Sequence, residues 1–165
     1  MSVSSLKQLA YPAYEARLAR LIKGKPQPKH IAIMADGKRR WAREAGFTDI
    51  SHGHRQGAKK IGEMISWCRD TDIEVVTIYL LSTENLKRSQ QEVRLLFDII
   101  SDVVTHLSQG DLDCQVRLVG NLGLLPAPVT QRMVDAAEET KDNQGVIVNV
   151  AVGYGGCQEI VDAVQ

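Results

Sequence analysis

An acidic residue followed by a cluster of basic side chains stands directly after an apolar run near the start of the chain. Residues 30–35, HIAIMA, predict a buried β-strand, and residues 36–43, DGKRRWAR, predict a turn that opens into a helix. The backbone N–H groups of a helix start and the guanidinium groups of Arg39 and Arg40 suit phosphate oxygens. Asp36 would repel a phosphate unless a divalent cation such as Mg²⁺ lies between them. The segment therefore indicates a phosphate and magnesium site.

The same segment has a second interpretation, which the residues alone leave open. Asp36 is also a residue type that caps a helix N-terminus. Its basic neighbours then form a solvated helix face. A short charged motif does not distinguish the two.

Composition and charge exclude several classes of protein. The chain has 165 residues, 44% of them hydrophobic and 24% charged, which is typical of one globular domain. Lys plus Arg and Asp plus Glu each number 20, so no global positive field favours nucleic acid. Cys68, Cys114 and Cys157 lack the spacing of a metal or redox motif, and we expect a cytoplasmic protein. No segment reads as a signal peptide or a membrane span.

Apolar segments of helical and strand periodicity alternate along the chain. Helices are predicted over residues 5–23 with an interruption at Pro12, in a segment after residue 51 with Ala58, Ile61, Ile65 and Cys68 on one face, over 92–107, from Pro126 to Thr140, and from near Cys157; strands are predicted over 73–81, 115–119 and 146–152. This alternation predicts an α/β fold with a mainly parallel central sheet that helices flank on both faces.

The domain organisation is predicted from the same pattern. Residues 1–29 form an N-terminal helix and linker, and residues 30–165 form one domain. Gln165 lies inside a predicted helix, so we expect the sequence to be the front part of a longer domain.

A second polar segment follows the predicted strand over residues 73–81. It contains Ser82, Thr83, Glu84 and Asn85, and then Arg88 and Glu92. In a parallel sheet this strand ends at the same edge as the strand before Asp36, so two polar loops converge there. Plain solvated loops remain the alternative, and a surface position remains the alternative for His54, whose imidazole could otherwise donate to a phosphate.

Five ordered motifs resemble the cis-prenyltransferases, the undecaprenyl diphosphate synthase family that also includes short-chain Z-isoprenyl diphosphate synthases. They are HIAIMADGKRRWAREAG, GHRQGAKK, VTIYLLSTENLKRSQQEV, RLVGNL and VNVAVGYGGCQEIVDAV. The resemblance implies a magnesium-dependent homodimeric enzyme that joins isopentenyl diphosphate to an allylic diphosphate. It also implies a mainly parallel sheet with an apolar tunnel for the product, and contact with a membrane surface stays open.

The resemblance also implies a role for each matching residue. Asp36 is the magnesium ligand and catalytic acid, and Asn85 is the proton acceptor. The implied substrate-binding residues are Gly37, Lys38, Arg39, Arg40, Trp41, His54, Ser82, Thr83, Glu84, Arg88 and Glu92.

The sequence departs from the family pattern at three places. Lys38 stands where the family usually has Asn, and an ammonium group can only donate hydrogen bonds beside the proposed metal. Ile50 stands where long-chain members carry an arginine. The arginine-rich segment that binds isopentenyl diphosphate and a glutamate that completes the metal site lie beyond Gln165 in the family. These departures support a second hypothesis, a non-catalytic subunit that binds a prenyl diphosphate or supports a catalytic partner.

Leu80 and Leu81 lead to an expectation about product length. Long-chain members often have Ala and then Phe at these positions, before the Ser that matches Ser82. A larger side chain in a close-packed tunnel wall would stop the growing chain early. We therefore expect a short product, about farnesyl length, made from geranyl diphosphate. The alternative is that Leu80 points into the core and never touches substrate.

Overall fold

The computed structural model describes residues 3–34, 40, 44, 46, 50–109 and 112–164. Within its helices, side chains at 3–9, 50–56, 58, 59, 157, 158 and 162 lie outside that description. Its helices are α1 (Val3–Ile22), α2 (Ile50–Asp70), α3 (Gln90–Gln109), α4 (Ala127–Glu139) and α5 (Gly156–Asp162). Its strands are β1 (His30–Met34), β2 (Val75–Ser82), β3 (Cys114–Val119) and β4 (Val146–Tyr154), and short 3₁₀ turns cover Asn85–Lys87 and Leu122–Leu124.

The four strands form one sheet in the order β1-β2-β4-β3, and every pair is parallel. Strands β2 and β4 are therefore central. Both central strands are rich in β-branched and apolar residues, and helices connect successive strands, as parallel pairing requires. The α/β fold with a parallel sheet and flanking helices is confirmed.

The core lies between one face of this sheet and helices α2, α3 and α4. Side chains of both layers in this core are almost fully buried, among them Ile65, Val76, Ile78, Leu107, Met133, Val148 and Val150. The amphipathic pattern of residues 92–107 correctly predicted the helix that contributes most to it.

The opposite face of the sheet is only half-buried within the described residues. It carries a row of polar side chains across three strands. The Oγ1 atom of Thr77 lies 2.8 Å from His30 Nε2 and accepts from Asn149 Nδ2 at 3.1 Å. The sequence predicted helices on both faces of the sheet. Within the described residues, helices cover one face.

Strand β1 is not the buried strand that the sequence predicted. His30, Ala32 and Met34 are exposed, Met34 to 72%, while Ile31 and Ile33 are half-buried. The physical reason is position, because β1 lies at an edge of the described sheet and pairs there with β2 alone. An apolar run does not distinguish an edge strand from a central one.

Helix α1 also differs from the prediction, since it continues through Pro12. Proline removes one backbone hydrogen bond from a helix, but an exposed helix can leave the freed carbonyl to water. From residue 10 onward almost every described side chain of α1 is exposed, Tyr11, Tyr14 and Leu21 included.

The outer edge of β3 is closed by the segment that follows α4. Thr140, only 1% exposed, accepts from the backbone N–H of Val116 at 3.0 Å and donates to the Ala136 carbonyl at 2.8 Å. Asn143 Nδ2 donates to the Cys114 carbonyl at 3.0 Å. Side chains thus form hydrogen bonds with backbone N–H and C=O groups of β3 that would otherwise pair with a further strand.

We expect Thr140→Val to destabilise the fold by about 1–3 kcal/mol, because it leaves the buried Val116 N–H without its acceptor. Thr140→Ser keeps the hydroxyl and is the matched control, with a smaller loss. Urea unfolding followed by circular dichroism measures both free energies. Equal stability of the Val and Ser variants would contradict this role of the hydroxyl.

Candidate functional site

The candidate site lies at the edge of the sheet where its strands end. Neighbouring parallel strands β1 and β2 end at Met34 and Ser82, and β4, on the other side of β2, ends at Tyr154. Asp36 follows β1 by two residues in the sequence. The three strands therefore end at one edge of the sheet, which is where open α/β sheets bind ligands.

The loop after β2 is held by hydrogen bonds between its own residues. Asn85 Oδ1 accepts from the Ser82 backbone N–H at 3.3 Å, and Ser82 Oγ accepts from the Asn85 backbone N–H at 3.1 Å. This reciprocal pair closes a turn that places both polar side chains at the strand end. Two side chains of the predicted site are therefore brought together.

The turn after β4 packs against this loop. The Thr83 backbone N–H donates to the Tyr154 carbonyl at 3.2 Å. A Cβ atom at Gly155 would lie 2.8 Å from Thr83 Oγ1, so a larger residue there would displace the Thr83 side chain. Gly153 has a φ of +59°, and a Cβ atom there would lie 2.5 Å from the Asn121 carbonyl oxygen. Gly153 and Gly155 thus serve a tight turn at the end of β4.

Two irregularities in the β2–β4 pairing occur beside these loops. Tyr79 pairs with Ala151 and Leu81 with Val152, so Leu80 is an extra residue in β2. Ser82 then pairs with Tyr154, so Gly153 is an extra residue in β4. Such bulges redirect side chains and are frequent next to active sites.

The bulge separates the environments of the two predicted chain-length residues. Leu81 is fully buried in the core. Leu80 is half-buried and packs against the same core from its rim. Leu80 is thus the one of the pair with surface available to a ligand.

Arg88 and Glu92 form an ion pair at the start of α3. Arg88 Nη1 lies 2.9 Å from Glu92 Oε1, and the two side chains are 30% and 23% exposed. Ser89 Oγ accepts from the Glu92 backbone N–H at 3.3 Å and caps the helix. Glu84 is exposed, and burial of the phenol, together with the Glu84 carboxylate, raises the pKa of Tyr79.

The basic half of the predicted site lies largely outside the described residues. Asp36, Gly37, Lys38, Arg39 and Trp41 all fall there. Arg40 is described as helical and exposed. His54 lies in the first turns of α2, and its side chain is outside the description.

Magnesium would need carboxylate ligands that the described part of the chain does not group together. Within that part, no cluster of three or more His, Cys, Asp or Glu side chains could hold a metal ion. The carboxylate of Asp36, which lies outside the described residues, is a hard oxygen donor and fits Mg²⁺ by its chemistry. No described helix has the length and apolar character needed to cross a membrane.

Sequence reasoning missed the two tyrosines of the site. Tyr79 Oη donates to the Tyr154 carbonyl at 2.7 Å, and the two rings meet edge to face with centroids 5.6 Å apart. A tyrosine in a strand gives no signal of such a bond, because its acceptor lies 75 residues away in the chain.

A parallel sheet with a serine- and asparagine-containing loop and a glycine turn at one edge defines an α/β protein with a polar site at its strand ends, and comparison with known proteins specifies the family. The model of the undecaprenyl diphosphate synthase family matches residues 33–165. The chain belongs to this family of prenyltransferases.

Named relatives agree with this assignment. The chain is 64% identical to "Isoprenyl transferase 1" of Corynebacterium diphtheriae over 94% of its length and 59% of that protein's. It is 48% identical to "(2Z,6E)-farnesyl diphosphate synthase" of Mycobacterium tuberculosis, over 97% of the chain and 62% of the relative. The chain thus spans about three fifths of the length of these curated relatives.

A solved structure agrees as well. Lavandulyl diphosphate synthase from Lavandula x intermedia, in complex with dimethylallyl diphosphate, superposes with a TM-score of 0.76 at 33% identity. The match covers 83% of this chain and 59% of that one. The family resemblance of the five motifs is confirmed.

The Arg88–Glu92 pair should contribute a coupling free energy of about 0.5 kcal/mol, because it is partly shielded from water. A double-mutant cycle with Arg88→Ala and Glu92→Ala, measured by urea unfolding, gives this value, which should fall in 1 M NaCl. The Glu138–Lys141 pair, 68% and 53% exposed, is the control and should show almost no coupling. A larger coupling for the control pair would contradict the argument.

Proposed function

We propose that the protein is a short-chain cis-prenyltransferase. It condenses isopentenyl diphosphate with a short allylic diphosphate, with geranyl diphosphate as the expected primer, to a (Z,E)-farnesyl diphosphate-like product. The observation that carries the proposal is the parallel pairing of β1 with β2. Because of that pairing, β1 and β2 end at the same edge of the sheet, two residues before Asp36 in the sequence and at the first residue of the Ser82–Asn85 loop. The names of the Corynebacterium and Mycobacterium relatives support the same reaction class.

The reaction requires the C1–O bond of the allylic diphosphate to break and a bond to the terminal carbon of isopentenyl diphosphate to form. A proton then leaves C2 of the isopentenyl unit. Mg²⁺, with Asp36 as its proposed ligand, would neutralise the departing diphosphate. Gly37, Arg39, Arg40 and His54 are the proposed cradle of that diphosphate, and they supply N–H donors that stabilise the growing negative charge. Lys38, beside them in the sequence, would compete with the metal.

The loop after β2 has a separate proposed task. Ser82, Thr83 and Glu84 contact the substrates, and Asn85 receives the departing proton. The hydrogen bonds between Ser82 and Asn85 support this proposal, because they fix the turn on which both side chains stand. Arg88 and Glu92 join the closed site, where a diphosphate competes with Glu92 for the guanidinium group. Trp41 is the proposed wall of the allylic pocket.

The assembly and location of the protein are further proposals. A homodimer in the cytoplasm, in peripheral contact with a membrane when the product is released, fits a family that makes prenyl diphosphates. A prenyl chain is apolar and its diphosphate is charged, so such a product partitions to a membrane surface.

The experiment uses two polypeptides: this chain, and this chain followed by the remaining part of the C. diphtheriae relative. Each is incubated with labelled isopentenyl diphosphate, geranyl diphosphate and MgCl₂, with EDTA as the control. We expect the longer polypeptide to incorporate label only with Mg²⁺, and its Asp36→Ala variant to lose incorporation. Lys38→Asn should raise the rate, because a cation that competes with the metal is removed.

No incorporation with any short primer, in the longer polypeptide and its Lys38→Asn variant alike, would contradict the proposal. Co-purification with a complete homologous subunit would then favour the non-catalytic partner hypothesis that Lys38 raised.

Product length should depend on Leu80. Leu80→Ala removes three carbon atoms from a half-buried side chain next to the strand end, so the growing prenyl chain gains space. We expect the active polypeptide to make a farnesyl-length product and its Leu80→Ala variant to make longer ones, resolved by reversed-phase chromatography. Leu80→Met conserves volume and should keep the short product. A long product from the parent, or an unchanged product from Leu80→Ala, would exclude this role.

A further inference from the structure

The carbonyl oxygen of Tyr154 accepts two hydrogen bonds from the β2 side of the site. Tyr79 Oη donates to it at 2.7 Å, and the Thr83 backbone N–H donates to it at 3.2 Å. A carbonyl oxygen has two lone pairs, so these two donors use its full capacity. One atom at the end of β4 therefore fixes both the last part of β2 and the first residue of the loop after it.

The surroundings of Tyr79 keep its hydroxyl group a hydrogen-bond donor. Its ring meets the Tyr154 ring edge to face at an interplanar angle of 90°, which restricts where the hydroxyl can point. Burial raises the pKa of Tyr79, and the Glu84 carboxylate raises it further. The phenol consequently stays protonated throughout the neutral range.

The Tyr79 bond spans the part of the sheet where the strand pairing is irregular. The extra residues Leu80 and Gly153 both lie between the Tyr79–Ala151 and Ser82–Tyr154 pairs. A bulge interrupts the regular ladder and leaves its extra residue unpaired. A side-chain bond across this interval replaces restraint that the ladder does not supply there.

The restraint passes from one loop residue to the next. Thr83 is held by the Tyr154 carbonyl, and it is flanked by Ser82, which exchanges two hydrogen bonds with Asn85. Movement of the carbonyl would move the Thr83 amide and then the turn that carries the Asn85 side chain.

We infer that Tyr79 is a positioning residue that holds the Ser82–Asn85 loop through the Tyr154 carbonyl. The inference deepens the proposed function and rests on it for its catalytic consequence. Its structural part, the restraint of the Thr83 amide by the Tyr79 hydroxyl, is testable without any substrate.

The first test is amide hydrogen exchange of this chain, measured residue by residue by NMR. Tyr79→Phe removes the hydroxyl and keeps the ring contact, so we expect the Thr83 and Asn85 amides to exchange about fivefold faster. Tyr14→Phe is the matched control, because Tyr14 is an exposed residue of α1. The core amide of Ile78 should be unchanged in both variants. Unchanged exchange at Thr83 in Tyr79→Phe would overturn the inference, as would equal acceleration throughout β2.

The second test is steady-state kinetics in the longer, active polypeptide. We expect Tyr79→Phe to lower kcat about tenfold and to change the KM for each substrate less than twofold, because the loop is present but less well oriented. A loss of folded protein would instead lower the active fraction together with the thermal midpoint. If the parent catalyses no condensation, the proposed function fails, and the exchange result still decides whether Tyr79 positions the loop. An unchanged kcat in an active parent overturns the positioning role.

Discussion

Strands β2 and β4 pair in parallel from Val75 and Ile147 to Ser82 and Tyr154, and the position of every described loop of the site depends on that pairing. Because both strands are central, their core-facing side chains are buried beneath α2, α3 and α4, which makes a change of register costly. The strand ends are thus fixed relative to each other by the same apolar contacts that stabilise the domain. The apolar core therefore sets the positions of the loops, although the loops themselves are polar.

Sequence patterns predicted the fold well where periodicity and burial agree. Residues 92–107 lie within α3, and the β-branched run before Ser82 is β2. The strand predicted from residue 30 is confirmed over His30–Met34, but its predicted burial was wrong, because edge or central position depends on pairing partners remote in the sequence. Pro12 was expected to interrupt α1 and does not, since the backbone group that it frees belongs to an exposed helix.

The site could be predicted where the type of a side chain indicates its chemistry. Ser82 and Asn85 were named from their place after a strand, and the structure brings them together. The role of Tyr79 was not predictable, because its partner is a backbone carbonyl, which every residue possesses. The bulge at Leu80 was hidden for a similar reason, since an extra residue in one strand is visible only against its neighbour.

The two bulges have opposite effects on the alignment of the strands. Leu80 advances β2 by one residue relative to β4, and Gly153 returns the strands to their original offset by Ser82 and Tyr154. An insertion or deletion in either strand alone would leave the two loops displaced by about 3.3 Å, one strand residue. A change of length in one strand at this end of the sheet therefore needs a compensating change in the other, more than 70 residues away in the chain, if the two loops are to keep their present alignment.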